Sequence, residues 1–472
     1  MSMVETETKM EKILYQHQAE ALEAITTSNA SLGRIVIPTG GGKTLVQALT
    51  LRARLNVRRG GKVHLVLAPR IVLLNQLIKN YRDEIGQDYL AIAFHSGRYE
   101  PDYSKIRWEE TSTTNVDVIT KNIERAKRMK KDLVVFSTYC SMHKLMDIRF
   151  NTVLADESQY CITEGFFEPI RDLTAKLKLF FTATERHTKH DNGRGLNNEE
   201  VFGEKLYQVS PKTLAERGII VLPRLHIMKA DAKISVSTVV DEVLNLAKAQ
   251  SLLKNAQLPV TKILFAMEGT SDVEEVASQY VKIATEMPGY RTFTITSKGG
   301  AKVDGKTYTR DEWMKQLREC DNALIFHYDI LAEGIDVDGI TGVCILRNMK
   351  QSKLLQTIGR AVRIYKANPE LKKNCWVSVP VINDDQESYR FVSDIIAELN
   401  DGGFDINAEM VDFTNLDGVG IGDDDGIDDA YGNKSGASLK QWLLENVVHQ
   451  IEIDGILAEM SLEDKFAALL AA

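Results

Sequence analysis

The segment from Arg34 to Leu45 reads RIVIPTGGGKTL and joins an apolar run to three glycines and a lysine. Three of its first four residues, Ile35 to Ile37, are apolar and β-branched, which is typical of the end of a buried strand, and Pro38-Thr39 ends that strand. Gly40 to Gly42 let the backbone turn tightly with its N–H groups facing inward, and Lys43-Thr44 open a helix. A phosphate chain would meet bare amides, a helix N-terminus, an ammonium group and a hydroxyl able to ligate Mg²⁺. The segment therefore predicts a nucleoside triphosphate site.

The segment departs from the strict pattern G-x-x-x-x-G-K-[ST] at one position, because Ile37 stands where the first glycine would be. A glycine-rich turn before an ordinary helix is the competing interpretation. Three glycines followed directly by Lys-Thr, after an apolar strand, favour the phosphate-binding interpretation.

Length and composition define the broad class of protein. A chain of 472 residues exceeds one hydrophobic core and predicts two or three domains. The net charge of −8 means that a nucleic-acid site would be a local basic groove rather than a property of the whole surface. None of the five cysteines forms a C-x-x-C pair, so neither a zinc site nor a disulfide framework is indicated. No signal core and no apolar run of about 18 residues occurs, which predicts a soluble, cytoplasmic protein without a membrane partner.

Strands alternate with helices along the chain, which predicts α/β architecture with parallel, doubly wound sheets. Residues 1–222 form the first predicted domain, with strands that include Lys62–Ala68, Leu133–Ser137 and Val116–Ile119. Residues 223–397 form a second α/β domain without a phosphate loop of its own. Residues 398–438 are rich in Gly and Asp and predict an acidic linker, and residues 439–472 predict a helical segment. A second hypothesis is that Asp417–Asp429 mimics nucleic acid; unchanged nucleic-acid affinity after its deletion would reject that idea.

Two adjacent carboxylates follow a predicted strand in the segment TVLADESQ, from Thr152 to Gln159. Ligands of open α/β sheets bind at the carboxyl ends of the strands. In a phosphate-loop enzyme, Asp156 would hold Mg²⁺ and Glu157 would orient and activate the attacking water. An exposed acidic turn is the alternative, but the preceding strand and the phosphate loop favour the catalytic interpretation.

Two segments of the second domain suggest chemistry. The segment LAEGIDVD, from Leu331 to Asp338, places a glycine and acidic residues in a loop between strands. The segment QTIGRAVR is predicted on a helix, where Arg360 and Arg363, three residues apart, would lie on one face. Two guanidinium groups on one face suit a phosphate, and arginine fingers contribute roughly 10³ to 10⁵ to phosphoryl-transfer rates. A solvated basic helix face is the alternative.

The order of these segments resembles a superfamily 2 helicase of the DEAD/DEAH-like class, with two tandem RecA-like domains, over about Leu14 to Arg363. The resemblance is carried, in family order, by Gln18, PTGGGKT, APR, the Ser137-Thr138-Tyr139 segment, DESQ, TAT, EGID and QTIGRAVR. This family tolerates other residues at the first glycine position of the loop, so Ile37 is compatible with the resemblance.

The resemblance implies a nucleic-acid-stimulated ATPase that uses ATP and Mg²⁺, with a role for each matching residue. It implies catalytic roles for Glu157, Gln356, Arg360 and Arg363. It implies nucleotide contacts from Gln18, Thr39, Gly40, Gly41, Gly42, Lys43, Thr44, Gly334 and Asp336. It implies metal ligation by Thr44 and Asp156, coupling of hydrolysis to movement by Thr182 and Thr184, and nucleic-acid contacts from Pro69, Arg70 and Thr138.

Within the superfamily, the chain differs from RNA-specific DEAD-box proteins at Ser158-Gln159 and in QTIGRAVR. The stretch VFGEKLYQVSPKTLAERGIIVLPRL is similar to the domain join of restriction-type helicases and of phage UvsW-like branch-migration helicases, which favours DNA. The sequence thus predicts a monomeric DNA helicase or translocase, acting in a bacterial or phage-infected cell on single-stranded, duplex or branched DNA. Three alternatives stay open: a duplex translocase that does not unwind, an RNA helicase, and a nucleotide-switched binding protein without turnover.

Overall fold

The computed structural model describes residues 14–55, 59–86, 89–97, 112–188, 193–230, 235–253, 259–297, 299–328, 337, 339–347, 349, 351–382, 386–406 and 410–414. Two compact units make up the chain, Met1–Val209 and Ser210–Ala472. Each unit is built on a mainly parallel sheet with helices, so the predicted α/β class with two tandem domains is confirmed. The predicted helical segment 439–472 lies outside the described residues. Within the described part of the chain, no helix has the length and apolar character to span a membrane.

The first unit has one seven-stranded sheet in which every pair of neighbouring strands is parallel. The strand order is β3-β4-β2-β5-β6-β1-β7. Its strands are β1 (Leu32–Val36), β2 (Val63–Ala68), β3 (Tyr89–Phe94), β4 (Asp132–Thr138), β5 (Thr152–Ala155), β6 (Lys178–Thr182) and β7 (Glu204–Gln208). Its helices are α1 (Gln16–Thr27), α2 (Lys43–Arg54), α3 (Ile71–Ile85), α4 (Val116–Met129), α5 (Tyr139–Met142), α6 (Glu164–Asp172) and α7 (Glu199–Phe202).

The predicted strand at Val116–Ile119 is wrong, because these residues form the first turn of helix α4. The Asn115 side chain accepts a hydrogen bond of 2.9 Å from the Asp117 backbone N–H and so caps the helix. The apolar residues that looked like a short strand are the first members of a helical pattern.

The second unit has a nine-stranded sheet in the order β12-β11-β10-β13-β9-β14-β15-β8-β16. Its strands are β8 (Leu222–Ala230), β9 (Thr261–Ala266), β10 (Arg291–Thr296), β11 (Gly300–Val303), β12 (Lys306–Tyr308), β13 (Asn322–His327), β14 (Ile340–Ile345), β15 (Asn374–Ile382) and β16 (Val411–Thr414). Its helices are α8 (Pro211–Glu216), α9 (Val239–Leu252), α10 (Thr270–Ser278), α11 (Tyr280–Glu286), α12 (Arg310–Glu319), α13 (Gln351–Ala361) and α14 (Gln386–Asp401).

An antiparallel hairpin, β11–β12, extends the otherwise parallel sheet of the second unit. Its turn is Asp304-Gly305, and both residues have positive φ, 47° and 74°. Asp-Gly flanked by alternating apolar and polar residues is a strong hairpin signal, although this hairpin was not among the predicted elements.

The two units divide at a position that precedes the predicted domain boundary. The sequence prediction places the first boundary after Leu222, whereas the two units divide between Val209 and Ser210. Helix α8 belongs to the second unit, in which the Val221 backbone N–H donates to the Val362 carbonyl at 2.7 Å. The predicted linker 398–438 begins inside α14 and includes β16, which pairs with β8; its residues from 415 onward lie outside the described residues.

In both units, lysines at or near the beginnings of strands donate hydrogen bonds to carbonyls at the C-terminal ends of helices. Lys62 donates to a carbonyl of α2 at 2.7 Å, and Lys178 donates to two carbonyls of α6 at 2.8 and 2.9 Å. Burial lowers the pKa of Lys178 to about 8. Lys372, which is 2% exposed, does the same for α13. An ammonium group at this end of a helix satisfies carbonyls that have no partner in the helix and also interacts favourably with the helix dipole.

Replacing Lys372 with Met is expected to lower the free energy of unfolding of the second unit by roughly 2–4 kcal/mol. The ammonium group donates to the carbonyls of Ile340 at 2.7 Å, Arg363 at 2.6 Å and Ala361, and a thioether would leave all three without this donor. Urea unfolding followed by tryptophan fluorescence measures the effect, in a Trp108→Phe background so that the signal comes from residues 210–472.

The matched control for Lys372 is its neighbour Lys373, which forms an exposed ion pair with Glu370 at 2.6 Å. Such a pair contributes little, so Lys373→Met should change the free energy of unfolding by less than about 0.5 kcal/mol. Equal unfolding midpoints for the two variants would contradict the structural role of Lys372.

Candidate active site

The glycine loop that follows β1 has a backbone shape which requires glycine. Gly40 and Gly42 have φ of 91° and 78°, in the left-handed region that disfavours side chains. Gly42 is the N-cap of α2, which begins at Lys43. A Cβ atom at Gly42 would lie 2.2 Å from the Gln18 amide nitrogen. The backbone therefore turns tightly before α2, which begins at Lys43 as the sequence predicts, and phosphate binding by this loop stays a prediction.

Lys43 contacts both the predicted metal ligand Asp156 and the predicted catalytic base Glu157. Its ammonium group is 2.8 Å from Glu157 Oε1 and 3.2 Å from Asp156 Oδ1, and its side chain is 10% exposed. Burial alone would lower the pKa of Lys43, but the Asp156 and Glu157 carboxylates raise it above its ordinary value. Burial also raises the pKa of Asp156, against the opposing effect of Lys43. Helix α2 and the end of strand β5 thus bring one cation together with two adjacent carboxylates. More than a hundred residues of sequence separate the cation from these carboxylates.

Glu157 has a left-handed backbone conformation, with φ of 50°. This conformation costs about 1–3 kcal/mol for a residue other than glycine and is common at functional sites. It directly follows Asp156 at the end of β5 and precedes a short 3₁₀ turn, Ser158–Tyr160. The backbone therefore turns sharply between the two carboxylates, which lets both approach Lys43.

Three buried side chains that the sequence analysis did not predict hold Asp156 in place. The Gln47 amide donates to Asp156 Oδ1 at 2.7 Å, and the Tyr81 hydroxyl donates to Gln47 Oε1 at 3.2 Å. The Tyr139 hydroxyl donates to the Asp156 backbone carbonyl at 2.6 Å. Gln47 follows Lys43 by one helical turn, which places both on the same face of α2; that spacing was the only signal available in the sequence.

A chain of hydrogen bonds connects Glu157 to the predicted coupling residues Thr182 and Thr184. Gln159 donates to Glu157 Oε2 at 2.7 Å and accepts from the Thr182 hydroxyl at 2.7 Å. The Thr184 backbone N–H donates to Thr182 Oγ1 at 3.1 Å. Gln159 was not among the predicted site residues, although its amide joins Glu157 to Thr182.

Gln18, predicted to contact the nucleotide, contacts the glycine loop in this structure. Its amide nitrogen donates to the Gly41 carbonyl at 3.3 Å, and its Oε1 accepts from the Tyr15 backbone N–H at 3.1 Å. His17, which the sequence analysis did not identify, donates through Nε2 to the same Gly41 carbonyl at 2.6 Å. Two side chains of α1 therefore fix the conformation of the loop.

The three predicted nucleic-acid contacts lie at the carboxyl ends of neighbouring strands. Ala68 at the end of β2 pairs with Thr138 at the end of β4, so Pro69 and Arg70 follow directly beside Thr138. Arg70 is exposed and is the N-cap of α3, whereas Pro69 and Thr138 are buried. The Thr138 hydroxyl donates to Ser141 Oγ at 3.2 Å.

The second unit places Gln356 and Arg360 on α13. Gln356 is 9% exposed, and its Oε1 has no hydrogen-bond partner among the described residues. The prediction that Arg360 and Arg363 lie on one helical face is wrong, because α13 ends at Ala361 and Arg363 forms an isolated β-bridge with Ile220. The helix ends there because the Lys372 ammonium group donates hydrogen bonds to the Ala361 and Arg363 carbonyls. Gly334 and Asp336 lie outside the described residues.

Two regions of the sequence match helicase families. Residues 15–191 match the DEAD/DEAH box helicase family, and residues 246–365 match the helicase conserved C-terminal domain. Together they make up more than half of the 472 residues. The chain therefore belongs to the superfamily 2 helicases of the DEAD/DEAH type, a family of ATPases and helicases, which confirms the predicted class. No curated protein matches the sequence.

The fold is similar to those of several solved structures. The Type ISP restriction-modification enzyme LlaBIII, bound to DNA, has a TM-score of 0.64 and 16% identity, with coverage of 86% of this chain and 31% of that one. A nuclease-deletion mutant of the Type ISP enzyme LlaGI, in complex with a DNA substrate mimic, has a TM-score of 0.61 and 18% identity, with coverage of 85% and 30%. Dbp5 from S. cerevisiae, bound to RNA and ADP BeF3, has a TM-score of 0.52 and 15% identity, with coverage of 85% and 90%. The chain spans less than a third of the two restriction-modification enzymes, and the likeness is one of fold.

Proposed function

We propose that this protein is an ATP-dependent DNA helicase or translocase, which hydrolyses ATP to move along or unwind DNA. The observation that carries the proposal is the position of Lys43, at 2.8 Å from Glu157 and 3.2 Å from Asp156 beside a glycine loop. An ammonium group held by carboxylates at a helix N-terminus can exchange them for phosphate oxygens, which carry the same charge.

The residues of the first unit fit ATP and Mg²⁺. Thr39, the three loop glycines and Lys43 would hold the β- and γ-phosphates, and Thr44 and Asp156 would ligate the metal. Bound Mg²⁺ would neutralise charge that develops on the phosphates. Glu157 would accept a proton from the attacking water, and its bond to Gln159 would fix the orientation of the carboxylate.

The second unit would complete the reaction. Gln356 Oε1, which has no hydrogen-bond partner among the described residues, can accept a hydrogen bond from the attacking water, which supports its assignment as a water-positioning residue. Arg360 and Arg363 would stabilise the charge on the γ-phosphate, and Gly334 and Asp336 would sense the nucleotide. ATP binding and hydrolysis would form a repeating cycle that uses residues of both units. Thr182 and Thr184, reached from Glu157 through Gln159, would couple this cycle to movement.

Nucleic acid would lie across the carboxyl ends of β2 and β4, with Pro69, Arg70 and Thr138 as backbone contacts. Contacts to phosphates ignore sequence and weaken with salt. The similarity of the 201–225 stretch to restriction-type helicases favours DNA over RNA. The two restriction-modification enzymes of similar fold were solved with DNA or a DNA mimic, although Dbp5 was solved with RNA.

The decisive experiment measures ATP turnover alone and with single-stranded DNA, duplex DNA, forked DNA and RNA, together with strand displacement on the forked substrate. We expect DNA to stimulate turnover more than RNA and the fork to be unwound. Stimulation by duplex DNA without strand displacement would indicate a duplex translocase, and stimulation by RNA alone would indicate an RNA helicase. Nucleotide-dependent DNA binding without turnover would overturn the motor proposal.

A further inference from the structure

Gln47 and Tyr81 form a buried polar pair beside the predicted metal carboxylate. Both side chains belong to residues with 0% exposure, on α2 and α3 respectively. Gln47 Nε2 donates to Asp156 Oδ1 at 2.7 Å, and its Oε1 accepts from the Tyr81 hydroxyl at 3.2 Å. An ionised carboxylate only accepts hydrogen bonds, so the amide nitrogen must face Asp156 and its oxygen must face Tyr81. The pair therefore has one defined orientation.

Gln47 shares Asp156 with Lys43. Asp156 Oδ1 lies 3.2 Å from the Lys43 ammonium group and accepts from the Gln47 amide. If Lys43 turns to the phosphates of a bound nucleotide, Gln47 remains as a fixed donor to the same oxygen. The Asp156 carboxylate would then keep its orientation, in which Oδ1 faces Gln47 and Oδ2 does not. Donors of this kind orient metal-ligating carboxylates, and their loss typically costs 10- to 100-fold in metal affinity.

Tyr81 belongs to one of the two elements that carry the predicted nucleic-acid contacts and packs against the other. It belongs to α3, which begins directly after Arg70 and runs without a break for roughly 16 Å to Tyr81. Its ring packs edge-on against Phe136 of β4, with centroids 5.7 Å apart, and β4 ends at Thr138. A displacement of either element would therefore change the position of the Tyr81 hydroxyl relative to Gln47.

We propose that Gln47 is a positioning residue for Asp156, and that Tyr81 links this contact to the nucleic-acid-binding elements α3 and β4. The proposal rests on the proposed function, because it assumes that Asp156 ligates Mg²⁺ and that Arg70 and Thr138 contact nucleic acid. In this arrangement, nucleic acid would act on the metal carboxylate through two hydrogen bonds within the first unit.

The first test measures binding of a fluorescent ADP analogue with Mg²⁺ and with EDTA. For Gln47→Leu, the ratio of the two affinities is expected to fall about 10-fold or more, since the carboxylate loses its fixed donor. The control is Thr50→Val on the same helix, which removes a buried hydroxyl that donates to the Val46 carbonyl at 2.7 Å. If Gln47→Leu fails to fold, Gln47→Asn, which is one methylene shorter, replaces it. A ratio equal to that of the wild type in a folded Gln47 variant would overturn the positioning role.

The second test compares turnover with and without nucleic acid in Tyr81→Phe, which removes one hydroxyl. The stimulation ratio is expected to fall about 3- to 10-fold, in line with the loss of one buried hydrogen bond, while the KM for nucleic acid stays within about 2-fold. The control is Tyr207→Phe, whose hydroxyl donates to Glu20 at 2.7 Å on another part of the unit. An unchanged ratio in Tyr81→Phe would overturn the link. A wild-type protein that no nucleic acid stimulates would instead contradict the proposed function, and the Mg²⁺ test of Gln47 would still give its own answer.

Discussion

Replacing Glu157 with Gln is expected to lower ATP turnover by roughly 10²- to 10⁴-fold, the range that a general base contributes, while ATP remains bound. An amide has nearly the same shape as the carboxylate but cannot accept a proton from water. Lys43 keeps Asp156 at 3.2 Å and the glycine loop is unchanged, so the phosphate site remains formed. Turnover is measured in the presence of nucleic acid, and ATP binding is measured separately by equilibrium titration.

The Glu157 variant also tests the hydrogen-bond chain. Glu157 accepts from Lys43 through Oε1 and from Gln159 through Oε2. A glutamine has one carbonyl oxygen, so its NH₂ group must face one of these two donors, and one contact is lost. The control is Glu164→Gln in α6, whose side chain is 89% exposed; it should turn over ATP at the wild-type rate. Wild-type turnover in Glu157→Gln would remove Glu157 from its proposed role.

The features predictable from sequence are those fixed by neighbouring residues. The glycines, Lys43 and the strand before them follow one another directly, and Asp156-Glu157 directly follows an apolar strand. Both segments therefore reach the carboxyl edge of the sheet by the general rule for parallel α/β folds. The alternation of strands and helices, which is also a local pattern, predicted the α/β class, and the chain length predicted more than one domain.

The features not predictable from sequence depend on contacts between distant residues. Gln47 and Asp156 are separated by 109 positions, and the only local signal that they meet is the one-turn spacing of Gln47 from Lys43. Likewise, the apolar pattern through QTIGRAVR continues past Ala361. Helix α13 nevertheless ends at this residue, where the buried Lys372 donates hydrogen bonds to backbone carbonyls. The β11–β12 hairpin differs, because its Asp304-Gly305 turn was a readable local signal.

Replacing Arg360 with Ala is expected to lower ATP turnover by roughly 10³-fold or more, as loss of an arginine finger does in phosphoryl transfer. Arg360 lies in the last turn of α13, where a basic side chain also interacts favourably with the helix dipole. That interaction contributes only about 0.3–1 kcal/mol to stability, so a large loss of turnover in a folded variant could not result from unfolding. Arg360→Lys should not restore turnover, because an ammonium group cannot make the paired contacts of a guanidinium.

The matched control for Arg360 is Arg217→Ala, which removes an exposed guanidinium from the same unit and should leave turnover unchanged. ATP binding should persist in Arg360→Ala, since the loop glycines, Lys43 and Asp156 all belong to the first unit. The two measurements together separate assembly of the phosphate site from stabilisation of the transition state. Wild-type turnover in Arg360→Ala would mean that the γ-phosphate is stabilised without this guanidinium, and the proposal that the second unit completes the reaction would lose its main support.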